Sequence, residues 1–183
     1  HGDSEGTKIG MGWPERFDVI EWIKLIISWE PNAQIILHGV SMGAATVLMA
    51  SGEELPENVK VIIADCGYTS EWDEFKCEAN ALHIPWFPVL NAASVMSRLR
   101  DGYDFKQASA LEQVKQSRIP TLFIHGSDDE LVPYSMLDKL YSAAACEKEC
   151  LTVNGAGHAL SSSVEPELYW NTVESFIEKY SEK

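Results

Sequence analysis

The stretch Gly39-Val40-Ser41-Met42-Gly43 is the part of the sequence best equipped for covalent chemistry. It falls where a β-branched apolar run (IILH) gives way directly to a small-residue run (MGAATVLMA), so it reads as a strand turning at once into a helix. A turn that sharp brings the positions two before and two after the serine together, and glycine at both avoids the collision. The serine is thereby held in a strained conformation with its hydroxyl lifted above the strand end. The backbone N–H of Met42, at the helix N-terminus, can face a developing oxyanion. The plainer alternative is a tight strand-to-helix turn whose serine only caps the helix.

A serine hydroxyl is a weak nucleophile without a base. His158, in Gly155-Ala156-Gly157-His158, lies just past the last expected strand, where glycines let a loop bring the imidazole over the sheet edge. His38 lies within the first expected strand, His125 closes the third and His83 sits in an aromatic-rich segment, so these three read as structural. The base needs a carboxylate to orient it. Asp129 is preferred over Asp128 for that role in His125-Gly126-Ser127-Asp128-Asp129-Glu130-Leu131-Val132-Pro133. The order serine, carboxylate, histidine, each beyond a strand end, suits a parallel sheet that gathers its site along one rim.

The elements that must position these groups are short β-branched runs alternating with longer amphipathic ones, the pattern of a parallel sheet with crossover helices. Strands are expected over 34–38, 59–65, 121–125 and 150–153, apolar enough to be covered on both faces. Helices are expected over 14–29, with Phe17, Ile20, Ile23 and Ile27 on one face, and over 42–51, 133–145 and 166–180. Residues 70–119 form a long excursion with helical stretches at 70–82, 89–99 and 108–116. A structureless loop of that length would be unusual, so the excursion is expected to be a helical cap inserted into a core of 1–69 and 120–183. Trp72, Phe75, Trp86 and Phe87 either line an acyl pocket beneath that cap or simply pack it onto the sheet.

The chain has 183 residues, 45% of them hydrophobic, and a net charge of −14, which suffices for a packed core and opposes binding to nucleic acid or anionic lipid. No apolar run reaches the roughly 18–20 residues of a membrane helix, and no signal peptide opens the sequence, which begins at His1. A cytoplasmic protein is expected. Cys66, Cys77, Cys146 and Cys150 make no zinc-binding spacing with the histidines and read as reduced thiols, with a 146–150 disulfide as the other option. The chemistry calls for no metal and no organic cofactor. A thiol at Cys66 has no base near it in sequence and is not expected to be catalytic.

These motifs resemble the α/β-hydrolase superfamily, and within it the bacterial BEM46-like and serine-aminopeptidase-like serine hydrolases. The similarity rests on the elbow 39–43, the HGxxDxxVP segment 125–133, the Gly157-His158 loop and an HGxSEG stretch at 1–6. It implies Ser41 as nucleophile, His158 as base, Asp129 as its partner and Met42 as one oxyanion donor. It also implies a partial α/β-hydrolase fold, mainly parallel, whose upstream strands and first oxyanion donor lie outside these residues. The open edge of strand 34–38 would then pair with an N-terminal segment or another chain. The expected activity is cleavage of small carboxylic esters, or amides and peptides. An acyltransferase with the same triad, or a non-catalytic binding protein or inactive fragment, is the alternative.

Overall fold

A computed structural model describes residues 5–6 and 8–181. Four parallel strands, β1 (Ile35–Val40), β2 (Val59–Asp65), β3 (Thr121–Gly126) and β4 (Lys148–Val153), form one sheet in the order β1-β2-β3-β4. Their register aligns the C-terminal ends: Val40 sits opposite Asp65, Asp65 opposite Ile124, and Gly126 opposite Val153. Whatever follows each strand therefore emerges along a single rim.

One face of the sheet is covered by α1 (Glu15–Trp29), α2 (Met42–Ala50), α5 (Ala110–Val114) and α6 (Ser135–Ala143). Their Ile23, Ala44, Leu48, Val114 and Leu140 meet Leu37, Ile62 and Phe123 of the strands in a continuous core. α2 can approach so closely because its inward residues are small, and seven of its nine residues are buried. The opposite face is covered by α8 (Pro166–Tyr180), whose Tyr169, Val173 and Phe176 pack on Val61, Ile63, Leu122 and Ile124. Between the faces at the rim lies the short α7 (Ser161–Val164).

Not every strand is covered twice, as the sequence pattern suggested. α8 lies over β2 and its neighbours, and β1 alternates buried with exposed residues, leaving Ile36 and Val40 accessible on an open edge. On α1, Ile20 and Ile23 are buried, but Phe17 faces outward, where the Arg16 guanidinium stacks on its ring at 4.0 Å. β4 begins two residues earlier than expected. Its Lys148 and Glu149 pair with Thr121 and Leu122 at the sheet's other edge, where charged side chains stay solvated.

The excursion between β2 and β3 carries α3 (Glu71–Ala81) and α4 (Trp86–Asp101) ahead of α5. Ser70 caps α3 by accepting from the Asp73 N–H at 3.1 Å, whereas the Asp73 carboxylate turns to the Thr69 hydroxyl instead of closing a reciprocal box. Phe87 is extended within α4 (φ −97°, ψ 131°), as a residue preceding proline prefers.

Candidate active site

Ser41 stands between β1 and α2 with φ +54°, a left-handed conformation that costs a non-glycine residue energy. The elbow is closed too tightly for any side chain at Gly39, where a Cβ would lie 2.3 Å from the Gly43 carbonyl carbon and oxygen. The Ser41 N–H donates to the Asp65 carbonyl at 2.8 Å, tying the elbow to β2. The Met42 N–H opens α2, among the first-turn donors that have no acceptor within the helix.

The structure brings the three sequence-selected side chains into one line. His158 Nε2 lies 2.7 Å from Ser41 Oγ, and His158 Nδ1 lies 2.8 Å from Asp129 Oδ2. Asp129 is fixed from behind, its Oδ1 accepting from the Leu131 and Val132 N–H groups at 3.0 and 2.9 Å. Burial raises the Asp129 carboxyl's pKa, but hydrogen bonds from His125, His158 and the Val132 N–H outweigh that and leave it below the ordinary value. Asp128 points elsewhere and accepts from the Ser127 hydroxyl.

Two of the remaining histidines serve the frame. His125 Nε2–H donates to the Val132 carbonyl at 2.9 Å, pinning the turn that carries Asp129. His38 Nε2 lies 2.9 Å from the Tyr169 hydroxyl, and burial lowers its pKa despite the Asp65 charge. His83 follows α3 at φ +56°, while His1 and most of the HGxSEG stretch lie outside the described residues. All four cysteines are free thiols.

Two positioning contacts were not read from the sequence. Asp65, buried at the end of β2, accepts from Ser161 Oγ at 3.0 Å and so anchors α7, which directly follows the His158 loop. Gly126 lets β3 approach the same loop, where a Cβ would lie 2.2 Å from the Ala156 carbonyl oxygen.

A cavity of about 570 Å³ adjoins the elbow, lined by Met42 together with Met11, Glu71, Phe75 and Tyr103. Of the four aromatic candidates, only Phe75 lines it. Trp86 lines a separate apolar groove on the far side of Phe75, Trp72 faces a third depression, and Phe87 is 66% exposed with its ring edge-on to Trp86. Phe75 is thus the one of the four that borders this cavity. The kink at Phe87 turns its ring to the surface, and Trp72 and Trp86 pack against each other at 6.4 Å.

Residues 15–183 match the model of the prolyl oligopeptidase family (Peptidase_S9). The chain belongs to the prolyl oligopeptidase family. This family member is an α/β-hydrolase, and its four parallel strands with flanking helices form part of that fold. It is 28% identical to the uncharacterized protein YqkD of Bacillus subtilis over its whole length, spanning 60% of that relative. It is 29% identical to the lysophosphatidylserine lipase ABHD12 of Macaca fascicularis over 79% of this chain and 35% of that one. Among solved structures, the esterase Pf2001 of Pyrococcus furiosus superposes with a TM-score of 0.75 at 21% identity, covering 98% of this chain and 67% of that one. The acylaminoacyl peptidase of Pyrococcus horikoshii superposes with a TM-score of 0.71 at 16% identity, covering 93% and 28%. No helix among the described residues is long and apolar enough to cross a membrane.

Proposed function

We propose that this family member carries the catalytic residues of a serine hydrolase that cleaves carboxylic esters through an acyl-enzyme. The observation behind this reading is the continuous hydrogen-bonded line Ser41 Oγ, His158 Nε2, His158 Nδ1, Asp129 Oδ2. Similarity to an esterase and to an acylaminoacyl peptidase supports acyl transfer as the reaction class.

In this mechanism His158 Nε2 takes the Ser41 hydroxyl proton as Oγ attacks the ester carbonyl. The resulting oxyanion accepts a hydrogen bond from the Met42 N–H. On collapse the imidazolium returns the proton to the departing alkoxide. Water, deprotonated by the same nitrogen, then releases the acid and frees Ser41. Asp129 accepts the Nδ1–H throughout, keeping the tautomer that leaves Nε2 free to act as a base. A second oxyanion donor and a strand pairing the open edge of β1 are assigned to an N-terminal segment or another chain. Loss of a single donor typically costs about 10²–10³ in rate.

The test is labelling with a fluorophosphonate probe followed by peptide mapping. Adduct on Ser41, abolished in Ser41→Ala, is expected. Failure to label, or labelling that survives Ser41→Ala, would overturn the reading.

A further inference from the structure

Beneath the line of the three side chains lies a fourth group that the mechanism does not use. Cys66 follows β2 at φ +48° and is 1% exposed. Its Sγ, a carboxylate oxygen of Asp129 and a ring nitrogen of His158 all lie within 4.8 Å of one another. We infer that Cys66, Asp129 and His158 form a binding site for a thiophilic divalent cation, zinc being the best match, and that the bound ion switches Ser41 off. The second clause rests on the proposed function; the first stands on the geometry.

Sulfur, imidazole nitrogen and carboxylate oxygen are the donor types that zinc takes, with bonds of about 2.0–2.3 Å. Those bond lengths place the ligand atoms of a tetrahedral centre roughly 3.3–3.7 Å apart. Cys66 Sγ, within 4.8 Å of the other two ligand atoms, must close in by at most roughly 1.5 Å. The Nδ1 to Oδ2 separation of 2.8 Å must open by about half an ångström. Three protein ligands leave a fourth position for water, and the partly exposed His158 side chain gives the ion an approach. The ligands are held from outside as metal ligands usually are. Asp129 Oδ1 takes two backbone N–H groups, and His125 Nε2 stands 3.3 Å from Oδ2.

Charge favours the occupied site. One thiolate, one carboxylate and a divalent ion sum to zero, so the occupied site is neutral where a bare thiolate would not be.

Binding displaces two protons from the ligand atoms. The Cys66 thiol proton leaves to solvent, and the proton on His158 Nδ1 is carried on Nε2 instead, so one proton is released per ion. Nε2–H then donates to Ser41 Oγ and no longer accepts from it. Without an acceptor for its proton, Ser41 loses its nucleophilicity.

The experiment uses the full chain, Co²⁺ as a spectroscopic probe and Zn²⁺ as competitor. A variant with Cys77→Ser, Cys146→Ser and Cys150→Ser leaves Cys66 as the sole thiol. It should bind one Co²⁺, show a thiolate-to-cobalt charge-transfer band in the near ultraviolet, and lose that band to Zn²⁺. Adding Cys66→Ser should abolish the band and weaken Zn²⁺ binding at least about tenfold. Zn²⁺ should protect Ser41 from fluorophosphonate in the wild type and not in Cys66→Ser, each measured against its own zinc-free labelling. Absence of the band when Cys66 is the sole thiol, or zinc protection unchanged in Cys66→Ser, would overturn the inference. Labelling without zinc reports on the hydrolase reading alone, so the two can fail separately.

Discussion

At the scale of single residues, the hydrogen bond from His158 Nδ1 to Asp129 selects the tautomer, and in the proposed mechanism Ser41 depends on that selection. Asp129→Asn should keep the fold and lower the ester-cleavage rate by about 10³–10⁴, read as kcat at unchanged thermal stability. Glu71 and Glu74 present the opposite case: buried carboxyls on α3, each with one oxygen lacking a partner. Burial raises Glu71 to about 8, aided by Glu15 and Asp101, and Glu74 to about 7, aided by Glu78 and Asp129. Unfolded, both titrate near 4.5. Between these values the folded chain binds more protons than the unfolded one, so their contribution is full below 4.5 and is lost as pH rises through 7–8. Melting temperature should therefore decline from pH 5 to pH 8, and Glu71→Gln should flatten the decline, stabilising by roughly 1–2 kcal/mol at pH 8. The convergence of Ser41, His158 and Asp129 was legible because glycine spacing and strand-end position are local facts. Glu71, Glu74 and Cys66 were not, because their environment is made by distant segments.

At the scale of elements, the site depends on how closely backbones approach. β3 and the His158 loop are joined by Asp128 N–H to the Ala156 carbonyl at 3.0 Å and Gly155 N–H to Ser127 Oγ at 2.8 Å. Gly126→Ala would drive a methyl into that carbonyl, which belongs to backbone and cannot rotate aside. Expected outcomes are a loss of about 1–3 kcal/mol in denaturant unfolding and a larger loss of Ser41 labelling, because the imidazole rides on the displaced loop. Every expected strand and each long core helix was recoverable from periodicity, with shifts of a few residues at the ends. α7 was missed because four residues hold less than two turns of pattern, and its stability comes from the Ser161 contact with Asp65. Composition says which residues are large, whereas the kink at Phe87 decides where its ring points.

At the scale of the whole molecule, β1 is an edge strand among the described residues, with Ile36 38% and Val40 42% exposed, and its open backbone can template another strand. These 183 residues should self-associate in sedimentation velocity despite a net charge of −14, and Ile36→Lys with Val40→Lys should raise the monomer fraction with an unchanged circular dichroism spectrum. Ser41 stands at the mouth of α2, which is rooted in the core on one face of the sheet. His158 rides on a loop continued by α7 and α8, rooted in the core on the other face. Ser41 and His158 thus belong to opposite halves of a sandwich, with the sheet as the spacer between them. A slip of about one ångström between the halves would part Oγ from Nε2 while both halves still held their secondary structure. Reactivity in this architecture gauges the registry of two layers, and should be more sensitive to their sliding than to the melting of either.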